Sequence, residues 1–148
     1  MNLSWNYLFI FALFDTSRST VINKCTRGAP PLQLAVKGCD KGPCAFVKGT
    51  DVQLAISILA NNNITKLTTQ VKAFAMGTET IYPLPQSNAC LSLTNGECPL
   101  DEGEEVTYAL TMPILTSYPT IPVIIEFSLN SENGVVSCFR LSANVVDE

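Results

Sequence analysis

Histidine is absent from the chain, and Asp, Glu, Lys and Arg together supply only 15% of it. The first absence removes the commonest general base, the usual Ser-His-Asp arrangement and every imidazole metal ligand. It also removes the side chain that ordinarily titrates between pH 5 and 8, so acid-triggered release of a bound molecule would have to work through carboxylates. The shortage of charge, against roughly 25% in an ordinary soluble domain, leaves little to solvate the outside, and the mean hydropathy is positive. The sign of the charge is also wrong for phosphates. Nine Lys and Arg against thirteen Asp and Glu give a net charge of -4, which argues against nucleic acid or an anionic membrane surface as partner.

Also missing is any apolar run of the ~20 residues that a membrane-spanning helix needs. The longest near the start, Tyr7 to Phe14, is followed by a polar stretch containing Ser17 and Ser19. That pattern fits a secretory leader over residues 1–19, cut after Ser19, although no Lys or Arg precedes the apolar run. An N-terminal core helix is the competing reading, because so short a run fits either. The remaining 129 residues, 20–148 of 148, suit one domain with a substantial core.

What is present is cysteine: Cys25, Cys39, Cys44, Cys90, Cys98 and Cys138. An even number behind a leader implies an oxidising compartment and three bridges. Proximity in sequence favours Cys39 with Cys44 and Cys90 with Cys98, which leaves Cys25 to meet Cys138. On the chain-entropy estimate, each short loop contributes about 2–3 kcal/mol and the long one about 5 kcal/mol. Zinc is the rival use of these cysteines. The spacings miss the usual two-to-four pattern on both sides, so no metal and no cofactor is expected.

No long 3.6-residue periodicity follows the leader, whereas two-residue alternation recurs, so the chain reads as all-β. Leu32, Leu34 and Val36 share one phase, as do Val52, Leu54, Ile56 and Ile58, then Val106, Tyr108, Leu110 and Met112. Ile121, Val123, Ile125, Phe127 and Leu129 form another such face, and Phe139, Leu141, Ala143 and Val145 a last one, opposite Cys138 and Arg140. With the apolar phases inward, the Cys25–Cys138 bridge would fasten the outside and leave the interior free. The stretch KLTTQVKAFAM is less regular, with Leu67, Thr69 and Val71 in one phase and Phe74 and Met76 in the other, which predicts a bulge or a strand with two used faces. Turn signals at KGCDKGPC, NNN, NGECPLDEG and SENG separate these runs at intervals that suit a sandwich of two antiparallel sheets.

One loop breaks the rule that loops are polar. Residues 112–122, MPILTSYPTIP, carry Pro113, Pro119 and Pro122 between apolar side chains. Proline cannot sit inside a sheet, and IYPLP at 81–85 repeats the aromatic-proline pairing as Tyr82-Pro83. Two readings stay open on the residues alone. Either these are ordinary packing beneath proline turns, or Tyr82-Pro83 and Tyr118-Pro119 are rigid apolar elements at the rim of a cavity between splayed sheets.

The spacing C-x7-CPL with Gly103, then Tyr108, Pro113, SYP, IEF and a final CF, together with Lys48-Gly49, Met76-Gly77 and YPLP, resembles the Niemann-Pick type C2 family of lipid-recognition (ML) domains. The likeness runs from Cys25 to about Val146 and includes all six cysteines. It implies an immunoglobulin-like β-sandwich with an apolar pocket between its sheets, the three bridges proposed above, and carriage of fatty acids, sterols or semiochemicals without catalysis. By the same resemblance the entrance falls on Tyr82, Ile114, Tyr118 and Pro119. The walls fall on Val36, Phe46, Val52, Leu54, Val71, Tyr108, Val123, Ile125, Phe127, Phe139 and Leu141.

The chain also departs from that family. Thr78-Glu79-Thr80 gives a polar lip where sterol-transferring members are apolar, Lys24 and Thr26 flank the first cysteine, and Tyr82 stands where sterol carriers favour Phe. The overall look is nearer to arthropod members, several of which are considered carriers of fatty acids or chemical signals. The resemblance implies a secreted, extracellular or lysosomal monomer with a small hydrophobic ligand and, as a candidate partner, a membrane receptor or transporter. The acidic run Asp101, Glu102, Glu104 and Glu105 lacks the twelve-residue calcium-loop pattern and reads as a solvated turn. Asn63-Ile64-Thr65 is a glycosylation sequon in a predicted turn. The rival function on the same fold is a protein-recognition or innate immune co-receptor module.

Overall fold

The alternation seen in the sequence becomes nine strands in the computed structural model, which describes residues 22–148. The expected leader and its cut after Ser19 lie outside the described residues. The strands are β1 (Asn23–Lys24), β2 (Gln33–Val36), β3 (Cys44–Val47), β4 (Asp51–Leu59), β5 (Leu67–Ala75), β6 (Thr78–Tyr82), β7 (Glu105–Pro113), β8 (Pro122–Ser131) and β9 (Gly134–Val146), with a 3-10 turn at Ala89–Ser92. One sheet runs β1-β9-β8-β5-β6, with β3 also on β9, and the other runs β2-β4-β7. The strand pairings are antiparallel except that of β3 with β9. The fold is therefore the all-β sandwich expected from the pattern, with one parallel pairing added.

The inward phases are those of the alternating runs. On β4, Val52, Leu54, Ile56 and Ile58 are buried, and on β7 Val106, Tyr108, Leu110 and Met112 are. Branched and aromatic side chains fit this half-buried pleated surface, and their removal from water drives the two layers together. Phe127 and Phe139 oppose each other in register and stack with ring centroids 4.8 Å apart. The expectation for Leu32 fails: β2 starts one residue later, and Leu32 is 54% exposed beyond the end of an edge strand. The irregular stretch resolves as a strand with two used faces. Phe74 lies outward beneath Arg140, 5.0 Å from its guanidinium, and Met76 sits in the β5–β6 turn. The register shift lies between Leu129 and Asn130, in the β8–β9 pairing.

All three disulfides pair as proximity suggested: Cys25–Cys138, Cys39–Cys44 and Cys90–Cys98. Cys138 occupies the phase opposite Phe139 and Leu141, so this bridge is on the outer face. Its Cys138 half is nevertheless buried and Cys25 half-buried, because the 27–29 segment crosses the bridge and the Cys138 amide donates to the Ala29 carbonyl at 3.0 Å. Gly28 makes that crossing feasible. Its φ is +82°, and a Cβ there would approach Val135 Cγ1 to 2.6 Å. At the β8–β9 turn, the Glu132 carboxylate accepts from the Thr65 and Lys66 amides at 3.0 and 3.1 Å and from the Thr65 hydroxyl, pinning the 61–66 loop.

Two outcomes follow from these ties. Because the Cys25–Cys138 bridge closes a separation of 113 residues and Cys39–Cys44 one of 5, the double substitution Cys25→Ala/Cys138→Ala should cost about 4–5 kcal/mol in urea unfolding, and Cys39→Ala/Cys44→Ala about 2 kcal/mol. An equal or reversed ranking would contradict the loop-entropy account. The Thr65 bonds hold the Glu132 carboxyl below its ordinary value of 4.5. A lowered native pKa stabilises the fold fully above 4.5 and loses that contribution as pH falls through the native value. Glu132→Gln should therefore flatten the acid limb of stability against pH, measured by thermal melts between about pH 2 and 6.

Candidate functional site

The apolar proline loop ends one strand, turns, and starts the next. Pro113 closes β7 and Pro122 opens β8, positions where a missing amide proton is tolerated. Between them Ile114 is held inward by two bonds: Gly49 donates to its carbonyl at 2.6 Å and its own amide donates to Thr50 at 2.9 Å. The chain then reverses with the Tyr118 amide donating to the Leu115 carbonyl at 3.2 Å. Facing this loop is the β5–β6 hairpin, turned by Met76 and Gly77 at φ 52° and 73°. Two positive φ values in a two-residue loop suit the right-handed twist of the strands. The hairpin places Thr78, Thr80 and Tyr82 along one face of β6.

Between hairpin and loop lies a cavity of about 250 Å³. Its inner wall is Phe46, Met112, Ile114, Val123, Ile125 and Val145, and its rim Thr78, Thr80, Ile81, Tyr82, Pro83, Tyr118, Pro119 and Ile121. Ala73 and Ala75 of β5 complete it. Among these side chains the only hydroxyls are those of Thr78, Thr80, Tyr82 and Tyr118, all from the rim side, and none carries a carboxylate or an amine. The Tyr82 and Tyr118 rings meet edge to face at 6.1 Å, an arrangement that suits the aromatic quadrupole. The Tyr82 hydroxyl donates to the Pro113 carbonyl of the opposite sheet. Burial first, then the neighbouring Tyr118 and Asp51, push the Tyr82 phenol pKa well above its usual value, so it keeps its proton.

The residues expected at the entrance (Tyr82, Ile114, Tyr118 and Pro119) are all on this cavity, as are Phe46, Val123 and Ile125 of the expected walls. Val36, Val52, Leu54, Val71, Tyr108, Phe127, Phe139 and Leu141 lie in the packed core outside its lining. Tyr108 is buried with its phenol pKa raised by burial, partly offset by the Thr69 hydroxyl. Sequence reasoning passed over Ala73 and Ala75, whose small size makes the room, and Met112, Ile121 and Val145, which continue strand faces already identified. It took Thr78 and Thr80 only as a polar lip. Their phase with Tyr82 was the signal that could have placed them on the rim.

Glu126 accepts from the Arg140 guanidinium at 3.0 Å on the outer face, and the nearby Cys25 and Cys138 sulfurs are bonded to each other. Asn63 is exposed, and its side-chain oxygen accepts from the Glu102 amide at 3.0 Å, a bond that does not use the nitrogen a glycan would take. No helix among the described residues is long and apolar enough to cross a membrane.

Comparison with known proteins adds the family. The ML domain model matches residues 19–145. The chain belongs to the ML domain family. An ML relative from Drosophila melanogaster, NPC intracellular cholesterol transporter 2 homolog a, is 29% identical over 116 residues, covering 76% of this chain and 78% of the fly protein. The Bos taurus NPC intracellular cholesterol transporter 2 is 24% identical, covering 76% and 75%. In fold, this ML domain matches the crystal structure of a Niemann-Pick type C2 protein from the Japanese carpenter ant with a TM-score of 0.74 at 14% identity, over 85% of this chain and 99% of that one.

Proposed function

We propose that this ML domain is a secreted, non-catalytic carrier that holds a small hydrophobic molecule between its sheets: a fatty acid, a sterol or a semiochemical. The observation that carries this reading is the apolar cavity, with every one of its hydroxyls at the rim. A guest there gains free energy from burial alone, at about 25 cal/mol per Å². Micromolar affinity requires about 8 kcal/mol, and association costs at least ~4 kcal/mol more, so the guest must bury roughly 500 Å² of apolar surface. That requirement favours a long acyl chain or a ring system over a small volatile. Names of two relatives, both cholesterol transporters, support the same class of cargo. The rim hydroxyls are suited to orient a polar head at the entrance, and the oxidised cysteines fit an extracellular or lysosomal setting.

Organic extraction of the protein purified from its producing cells, followed by mass spectrometry, should release a stoichiometric lipid. Ala73→Leu should fill the cavity without disturbing the strand. Losing some 60 Å² of guest burial then lowers affinity for a fluorescent fatty acid about tenfold while the melting temperature holds. Unchanged affinity in that variant would put the guest elsewhere.

A further inference from the structure

The two sheets are tied very unevenly along the side where β6 and β5 lie over β7. At the end remote from the mouth, the 87–94 segment joins them by backbone: the Thr69 amide donates to the Ser87 carbonyl at 2.8 Å, and the Thr94 amide donates to the Thr107 carbonyl at 2.9 Å. The Cys90–Cys98 bridge holds that segment in shape. At the mouth the same two edges are joined by a side chain, through the bond from the Tyr82 hydroxyl to the Pro113 carbonyl. Pro113 has no amide proton, so its position cannot offer a two-way backbone pairing, and its carbonyl is left for a side-chain donor.

The cavity of about 250 Å³ is below the ~300–1,000 Å³ that commonly encloses a drug-sized ligand. A bulky guest therefore enters only if the sheets part further. With the remote end fixed by backbone bonds, parting occurs at the mouth, between Tyr82 and the Pro113–Ile114 end of β7.

We propose that the Tyr82 hydroxyl, by its bond to Pro113, is a latch that determines guest selectivity: it holds the mouth at a width suited to one flexible acyl chain and disfavours rigid fused-ring guests. The selectivity rests on the carrier reading, whereas the latch itself does not. Its donor is durable: a tyrosine phenol already keeps its proton through the neutral range, and burial, with the neighbouring Tyr118 and Asp51, raises its pKa further. A flexible chain can thread past a closed latch by rotating about its own bonds, whereas a fused ring system must break the Tyr82 bond to enter.

The test is Tyr82→Phe, which keeps the ring and its edge-to-face contact with Tyr118 and deletes one oxygen. Two intrinsically fluorescent probes are titrated against both proteins: cis-parinaric acid for the acyl chain and dehydroergosterol for the fused ring. The variant should bind dehydroergosterol about fivefold more tightly, the size of one neutral hydrogen bond. Its affinity for cis-parinaric acid should stay within about twofold. Hydrogen exchange reads the latch without any guest: the β6 amides should exchange about fivefold faster in the variant, with β8 and β9 unchanged. Both probes binding with an unaltered ratio would overturn the selectivity, and unaltered β6 exchange would overturn the latch. If neither probe bound either protein while β6 exchange rose, the latch would stand and the lipid-carrier reading would fall.

Discussion

Two stacked β-sheets ordinarily close on each other with interdigitating side chains about 10 Å apart. In this molecule that closure fails at one end, because β5 presents Ala73 and Ala75 there while its register partner on β8 at the first of them is Ile125. The missing side-chain volume is the cavity. Interiors are ordinarily packed like organic crystals, and elsewhere in this core large side chains are buried in contact, as in the stacked Phe127 and Phe139. The void is therefore local, and it survives because the surrounding backbone is pinned. Ile114 is bonded on both sides, and the large sheet is braced by the bridge from Cys25 to Cys138.

The same arrangement connects stability to motion. On the side where β5 and β6 lie over β7, the backbone bonds and the Cys90–Cys98 bridge collect at the end remote from the mouth, and the Cys25–Cys138 bridge lies on the outer face. At the mouth the elements are those that open at least free-energy cost: a short edge strand, β6, a two-residue turn, and a loop interrupted by prolines. On the carrier reading proposed above, a guest would pass between the edge strand and the proline loop, with the sheets parting there and not at the remote end.

Much of the fold was legible in the residues. Period-two alternation identified the inward faces of β4, β7, β8 and β9, and short cysteine spacings identified the bridges. What escaped had no local signature. The parallel pairing of β3 with β9 joins segments about a hundred residues apart, and no turn or spacing announces it. The register shift at Leu129 and Asn130 likewise depends on how β9 meets β8. In the site, the proline-bearing aromatics Tyr82 and Tyr118 drew notice because apolar side chains on such a backbone are unusual. Ala73 and Ala75 did not, since alanine in an alternating run reads as filler. A cavity is made by what side chains lack, and a pattern search weights what they carry. The bond from Tyr82 to Pro113 was invisible for a related reason: a tyrosine hydroxyl counts as apolar bulk until its partner across the sandwich is known.

The central claim is that an oily guest occupies the gap beside Ala73 and Ala75. Anomalous diffraction from crystals grown with a fatty acid brominated at its terminal carbon measures this directly. The account predicts a bromine peak between the sheets, against Ile125, Val123 and Met112, with the head group near the Tyr82 and Tyr118 hydroxyls. Bromine found only on the outer faces, with the inter-sheet gap unchanged and empty of guest density, would contradict it.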